Sequence, residues 1–177
     1  MDIQTMSLSS ALKAPIIKFT HEKILPFVFK ISDQPMLFRE LMHANKIYND
    51  GMNLEYNMKG FRTRLGRMYF VYFTLVLLLA TPPSAIFHTQ LAKIDCHALI
   101  ILSIIFTILL FSSFALFKSW LIEQVSKKLI QGAWKNHFPH FDYFKNCQKV
   151  SNIYAEAIES GVQNKDLKRY IITKMVD

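Results

Sequence analysis

Residues 98–117 read ALIILSIIFTILLFSSFALF, twenty consecutive positions without a charge. The charge-free run begins at Cys96, and a second one covers residues 68–90. A helix rises about 1.5 Å per residue, so a hydrocarbon layer of roughly 30 Å takes about 20 residues to cross. Both runs reach that length. Core helices of water-soluble proteins seldom run past about 18 residues without a charge, and they carry their apolar residues on one side. Residues 98–117 are apolar all round. Their hydroxyls, Ser103, Thr107, Ser112 and Ser113, can bond back to carbonyls of their own helix, which lipid tolerates.

Charge around the two runs orients them. Lys59, Arg62, Arg64 and Arg67 precede the first, and Lys118, Lys127, Lys128 and Lys135 follow the second. The connection between them holds only Lys93 and Asp95. Basic residues at span ends stay on the cytoplasmic side. The expected fold is an all-α integral membrane protein, a two-span transmembrane helical hairpin with helical cytoplasmic N- and C-terminal regions. Its parts are a cytoplasmic arm (1–34, with a possible seat on the membrane surface), cytoplasmic helices (35–67), spans at 68–87 and 96–117, an external link (88–95) and a cytoplasmic region (118–177). The expected location is the cell inner membrane, with both termini inside. The net charge of +8 suits juxtamembrane lysines and arginines that meet anionic head groups better than a nucleic-acid surface. The opening residues contain Asp2 and no basic run, so they do not read as a secretory leader.

Outside the spans the pattern is helical. Ser32-Asp33-Gln34-Pro35 reads as a helix start, and Leu37, Leu41, Ala44 and Tyr48 form its apolar side. Asn49-Asp50-Gly51 breaks it. Leu54, Met58, Phe61, Leu65, Met68 and Tyr72 then step by four and three, predicting one long helix that enters the first span. Pro82 and Pro83 predict a kink or, more simply, the end of that helix, because proline removes a donor and clashes with the preceding turn. The second span should continue as a helix to about Lys135 and stop at His137-Phe138-Pro139-His140. Asp142 should cap the next helix, with Tyr143, Cys147, Val150, Tyr154 and Ala157 inward and Ser160-Gly161 at its end. Leu167, Ile171 and Met175 mark a last helix. No strand alternation is seen.

The arm at residues 1–30 mixes Lys13, Lys18, Lys23 and Lys30 with Ile16, Ile17, Phe19, Leu25 and Phe27. It suits either the membrane surface or a packed place on the cytoplasmic helices. The two cysteines, Cys96 and Cys147, fall on opposite sides of the expected bilayer, so an intrachain disulfide is not expected.

No phosphate loop, dinucleotide fingerprint, zinc-protease helix or nucleophile elbow occurs. His137, His140 and Cys147 lack a fourth ligand for zinc, and His88 with His97 suits haem only across subunits. No cofactor, no metal, no small-molecule substrate and no nucleic acid is expected. Neither span holds an Asp, Glu, Lys or Arg, which argues against a proton relay or pump.

The expected role is therefore non-enzymatic: a small inner-membrane adaptor or regulator that docks on a larger membrane assembly, of the kind used by secretion or conjugation systems, including entry exclusion. Its partners would be the bilayer and another membrane protein, or a second copy of itself. Candidate contact surfaces are the helix at residues 36–48 and the aromatic-basic stretch at 134–149, with Trp134, Phe138, Phe141 and Tyr143. The layout of a Lys/Arg-bearing helix, a two-span hairpin and a further cytoplasmic helix resembles the SMODS- and SLOG-associated two-span effectors of bacterial defence. That resemblance implies the alternative, a homo-oligomeric pore or membrane-disrupting effector, with Ser103, Thr107 and Ser112 as packing or pore-lining residues.

Overall fold

The computed structural model describes residues 15–52, 54–91 and 95–176. The opening of the arm with Lys13, and the part of the link that holds Lys93, lie outside the described residues. The chain is mostly helical, and two of its helices are long and apolar enough to cross a membrane.

A helical stretch at 15–19 widens into a π-turn, Thr20–Ile24, and leads into α1 (Leu25–Val28). Strand β1 (Phe29–Ile31) follows, then α2 (Phe38–Asn49), α3 (Leu54–Asn57) and β2 (Phe61–Thr63). The two long helices are α4 (Leu65–Leu91) and α5 (Cys96–His137); α6 (Tyr143–Glu159) and α7 (Leu167–Val176) end the chain. Strands β1 and β2 form a two-stranded sheet.

The chain divides into two compact units. One comprises Met1–Lys30 with Thr63–Leu121, the other Ile31–Arg62 with Ile122–Asp177. The first unit contains α4 and the first part of α5. At 27 residues α4 is about 40 Å long, and at 42 residues α5 is about 60 Å, twice the hydrocarbon thickness. Only 6% of the most apolar window of α4 is buried, and none of that of α5. Burial of this kind does not describe core helices.

The second unit is built the other way, from one-sided helices. Helix α2 buries Leu41, Met42, Ala44, Asn45 and Ile47, and packs on α6, which buries Val150, Ile153, Tyr154 and Ala157. Helix α7 closes the core with Leu167, Ile171 and Met175. The last turns of α5 contribute Val125, Ile130, Ala133 and Trp134.

Several expectations are met in detail. Asp142 caps α6, its Oδ1 accepting the Lys145 N–H at 3.1 Å. Helix α6 ends with Gly161 at φ 68° and the Val162 N–H returning to the Ala157 carbonyl at 3.0 Å, a six-to-one closure that a left-handed residue permits. Gly51, at φ 66°, ends α2 in the same way. Helix α5 runs without a break from Cys96 to His137.

Four expectations are corrected. The stripe from Leu54 to Tyr72 is not one helix. Gly60 sits at φ 107°, outside any helix, and β2 separates α3 from α4. The chain is thus not free of strands: the Arg64 N–H reaches the Val28 carbonyl and the Ser32 N–H the Gly60 carbonyl, both at 2.9 Å. Helix α2 begins at Phe38, three residues beyond Pro35, because the Glu40 carboxylate accepts the Leu37 N–H and moves the start there. Leu37 consequently lies exposed rather than on the buried side. Finally, α4 does not stop at Pro82 and Pro83 but passes through both to Leu91. The Thr81 and Ser84 hydroxyls bond the Leu77 and Ala80 carbonyls at 2.6 and 2.7 Å, inside the same turns.

Candidate functional site

The second unit holds an open cleft of about 510 Å³ beside α2. Helix geometry places Arg39 and His43, four residues apart, on one side of α2, and both line the cleft. Met36, Ala44 and Met58 supply its apolar surface, and Lys59 lies on its rim. Glu40 is already engaged: it accepts the Leu37 N–H at 3.3 Å and stands 4.0 Å from the Lys59 ammonium. Tyr154 reaches the cleft from α6. Burial pushes its phenol above the ordinary range, against the opposing influence of Arg39 and Lys46. The cleft thus combines methionine surface with Arg39, His43 and the engaged Glu40. The sequence reading offered residues 36–48 as a contact surface but did not single out Arg39, His43 or Met58. Their signal was available in the i, i+4 pair Arg39–His43 on the polar side of α2.

Behind the cleft, α2 is fixed to α6 by an amide clamp. Asn45 and Asn49 both donate to the Cys147 carbonyl, at 2.9 and 3.1 Å. Asn45 is fully buried. Tyr48 and Tyr143 lie near Cys147. Burial raises both phenols above their ordinary range, with Glu123 adding to the effect at Tyr48 and Cys147 at both. On the far side of α6, Glu156 pairs with the Lys174 ammonium and accepts from the Tyr170 hydroxyl, joining α6 to α7. The Lys174 hydrogen bond holds the Glu156 carboxyl below its usual range. Lys149 donates to the Met175 carbonyl at 3.2 Å, where a cation meets the negative end of α7.

The aromatic residues proposed for partner contact occupy a different place from the one expected. Trp134 and Phe138 are only 1% and 2% exposed, and Tyr143 is buried beside them. The Trp134 indole donates to the Phe141 carbonyl at 2.8 Å, and its ring centre lies 4.6 Å from Phe138 and 5.2 Å from Tyr143. These residues fold the turn between α5 and α6 inward; Phe141 alone of the four is partly exposed. The turn's composition, rich in aromatics and bases, resembles a surface patch, and only the three-dimensional path shows the rings facing the core.

In the first unit the two long helices meet through aromatic rings. The Tyr72 hydroxyl donates to the Leu110 carbonyl at 2.6 Å and lies 2.6 Å from the Ser113 hydroxyl. Tyr69 stacks on Phe114 at 4.3 Å, and Tyr72 packs on Phe117 at 5.5 Å. Ser103 and Thr107 bond the Ile100 and Ser103 carbonyls of their own helix, at 2.7 and 2.8 Å, and face outward. Ser112 is nine residues beyond Ser103, about two and a half helical turns, so it stands on nearly the opposite side. The three hydroxyls do not line one wall. Sequence reasoning missed Tyr72 and Ser113 as the polar link between the helices.

Of the basic residues assigned to topology, Lys59 reaches the cleft, Arg67 lies over the Phe27 ring at 5.0 Å, and Lys127 over Phe144 at 5.9 Å. Arg62 and Lys128 are exposed, and Arg64 and Lys118 half-buried. His137 does not join His140 and Cys147: its Nε2 donates to the Met36 carbonyl at 2.9 Å. Among the described residues, the grouping whose ligand atoms fall within 4.8 Å of one another is Asp95, Cys96 and His97, all exposed at the start of α5. No protein-family model, no curated protein and no solved structure matches this chain.

Proposed function

We propose that this chain is a small, non-enzymatic adaptor of the cell inner membrane. In this reading α4 and the first part of α5 cross the bilayer as a hairpin, both termini stay in the cytoplasm, and the second unit docks on a larger membrane assembly. The observation that carries it is the division of labour between the units: one leaves most of the apolar surface of two long helices exposed, and the other is a packed helical body with an open cleft. Apolar surface of this extent is stable against lipid and costly against water. The excess of Lys and Arg before α4 and after residue 117 supports the orientation.

The docking surface in this reading is the cleft beside α2. Its occupant is a segment of a partner membrane protein that carries an acidic residue for Arg39 and His43 and an apolar residue for Met36 and Met58. Affinity capture of tagged, full-length protein in mild detergent should recover a stoichiometric partner, and Arg39→Glu with His43→Glu should release it. Recovery of a lone chain at every detergent and salt concentration would overturn the proposal.

A second reading, a homo-oligomeric pore or membrane-disrupting effector, draws on the outward-facing Ser103 and Thr107 hydroxyls of α5. It predicts dye leakage from reconstituted vesicles, abolished by Ser103→Leu with Thr107→Leu.

A further inference from the structure

Residues 15–28 are held against the start of α4 in a way that fixes their depth. Pro26 has no N–H to return to the Glu22 carbonyl, and the turn before it widens: the Leu25 N–H reaches back five residues to Thr20. The Thr20 hydroxyl bonds the Ile16 carbonyl at 2.8 Å. This wider turn places Thr20, Leu25 and Val28 all in buried positions, and α1 packs on α4.

Phe27 is then trapped between two residues of known setting. The Arg67 guanidinium stands 5.0 Å from its ring centre and 3.4 Å from its carbonyl oxygen, and the Phe70 ring is 6.4 Å away. Arg67 is the last charge before the charge-free run at 68–90, and Phe70 lies in the first turn within it. Whatever depth α4 takes, Phe27 shares the level where charge gives way to hydrocarbon. The same short segment leaves Ile16, Ile17 and Phe19 largely exposed, and among them Lys18 and Lys23 point charge outward. Glu22, its sole acidic residue, lies 4.0 Å from Lys18.

We propose that residues 15–28 form an interfacial foot on an anionic bilayer. Ile16, Ile17, Phe19 and Phe27 enter the boundary between head groups and acyl chains, continuous with the apolar surface of α4 at Phe70. Lys18, Lys23 and Arg67 take the phosphates of anionic lipid. This rests on the reading that α4 and α5 span the membrane. An amphipathic segment binds an interface through buried apolar area plus attraction to anionic lipid, and the foot supplies both.

The test uses the full chain with Cys96→Ser and Cys147→Ser, carrying one environment-sensitive fluorophore at Ile17→Cys, Phe19→Cys, Leu102→Cys or Asn152→Cys. Each form is reconstituted in phosphatidylcholine vesicles with and without phosphatidylglycerol, and quenched by lipids spin-labelled near the head group or deep in the chain. Positions 17 and 19 should be quenched by the shallow label, position 102 by the deep one, and position 152 by neither. Phosphatidylglycerol should strengthen the shallow quenching. Each of Lys18→Gln and Lys23→Gln should weaken the preference for anionic vesicles about fivefold. Loss of quenching at 17 and 19, with position 102 still quenched, would overturn the foot alone. Loss at position 102 would overturn the spanning reading itself. Equal quenching in both vesicle types would refute the role of anionic lipid. Because Ile17 and Phe19 are exposed, these substitutions leave the packed residues untouched.

Discussion

Helix α5 contains two environments in one unbroken element. Residues 96–109 are exposed on every side, and residues 96–117 carry no charge. From Lys118 onward charges return, and Leu121, Val125 and Ile130 are completely buried while Lys128 and Lys135 face outward. Both halves carry Leu and Ile, but phenylalanine stands only in the first. The difference lies in arrangement: a ring of apolar residues suits an apolar solvent, and a stripe suits a neighbour. Charge content already separates the two halves, and the angular distribution of their apolar residues says what each half faces.

The sharpest way to break this comparison is to place charge in the ringed half. Ile104→Arg with Ile108→Arg should add about 2.5 to 3.5 kcal/mol per arginine to insertion of that helix. The expected result is failure of the second crossing, so that tags at the two termini report opposite sides of the membrane instead of the same side. Asn152→Arg, on the exposed side of α6, should change stability by less than about 0.5 kcal/mol. Equal tolerance of arginine at both places would remove the distinction between the halves.

The striped half responds to cavities instead. Trp134→Ala removes a buried ring and its bond to the Phe141 carbonyl, and should destabilise the second unit by about 3 to 5 kcal/mol. Thermal unfolding in detergent, followed by helical circular dichroism, measures it. Leu102→Ala, on the ringed side, should leave the same transition unchanged.

Tyrosine ionisation discriminates further. Tyr48, Tyr143 and Tyr154 all have phenols raised above the ordinary 10.0, mainly by burial. The folded state therefore favours their neutral form. The stability they contribute is complete below pH 10 and is lost as pH rises from there through the raised values. Alkaline titration should loosen the second unit, and Tyr143→Phe should shift that loss to higher pH. Residues 68–90 and 96–117 hold no Asp, Glu, Lys or Arg, so on the spanning reading they should stay in the membrane throughout. An alkaline wash that releases the whole chain would contradict the comparison. A smaller loss is expected of Asp142→Ala, which deletes the cap of α6 and should cost about 1 kcal/mol, read from the same thermal transition.

The two long apolar helices, the continuation of α5, the Asp142 cap and the inward residues of α6 and α7 were legible because each rests on local pattern. The path between Asn57 and Leu65 was not. Phe61 and Leu65 keep a helical spacing by coincidence, while Gly60 and the pairing of β2 with β1 depend on a segment thirty residues earlier. The cleft was legible in part: residues 36–48 were named, but Met58, Lys59 and Tyr154 reach it from other elements. The aromatic turn at Trp134 was misplaced for the same reason, since a ring's direction is set by the fold around it.

The paired prolines of α4 bear on how the two long helices take strain. Pro82 and Pro83 offer no donors to the carbonyls of Leu78 and Leu79, and the nearby hydroxyls serve Leu77 and Ala80 instead. Two consecutive rungs of that ladder are missing some 10 residues beyond Met68, about 15 Å along the axis. Helix α5 has no proline anywhere along its length. On the spanning reading, α4 is the more compliant member of the pair and α5 the stiffer one, so a thinning or curving bilayer should bend α4 around residues 78–83.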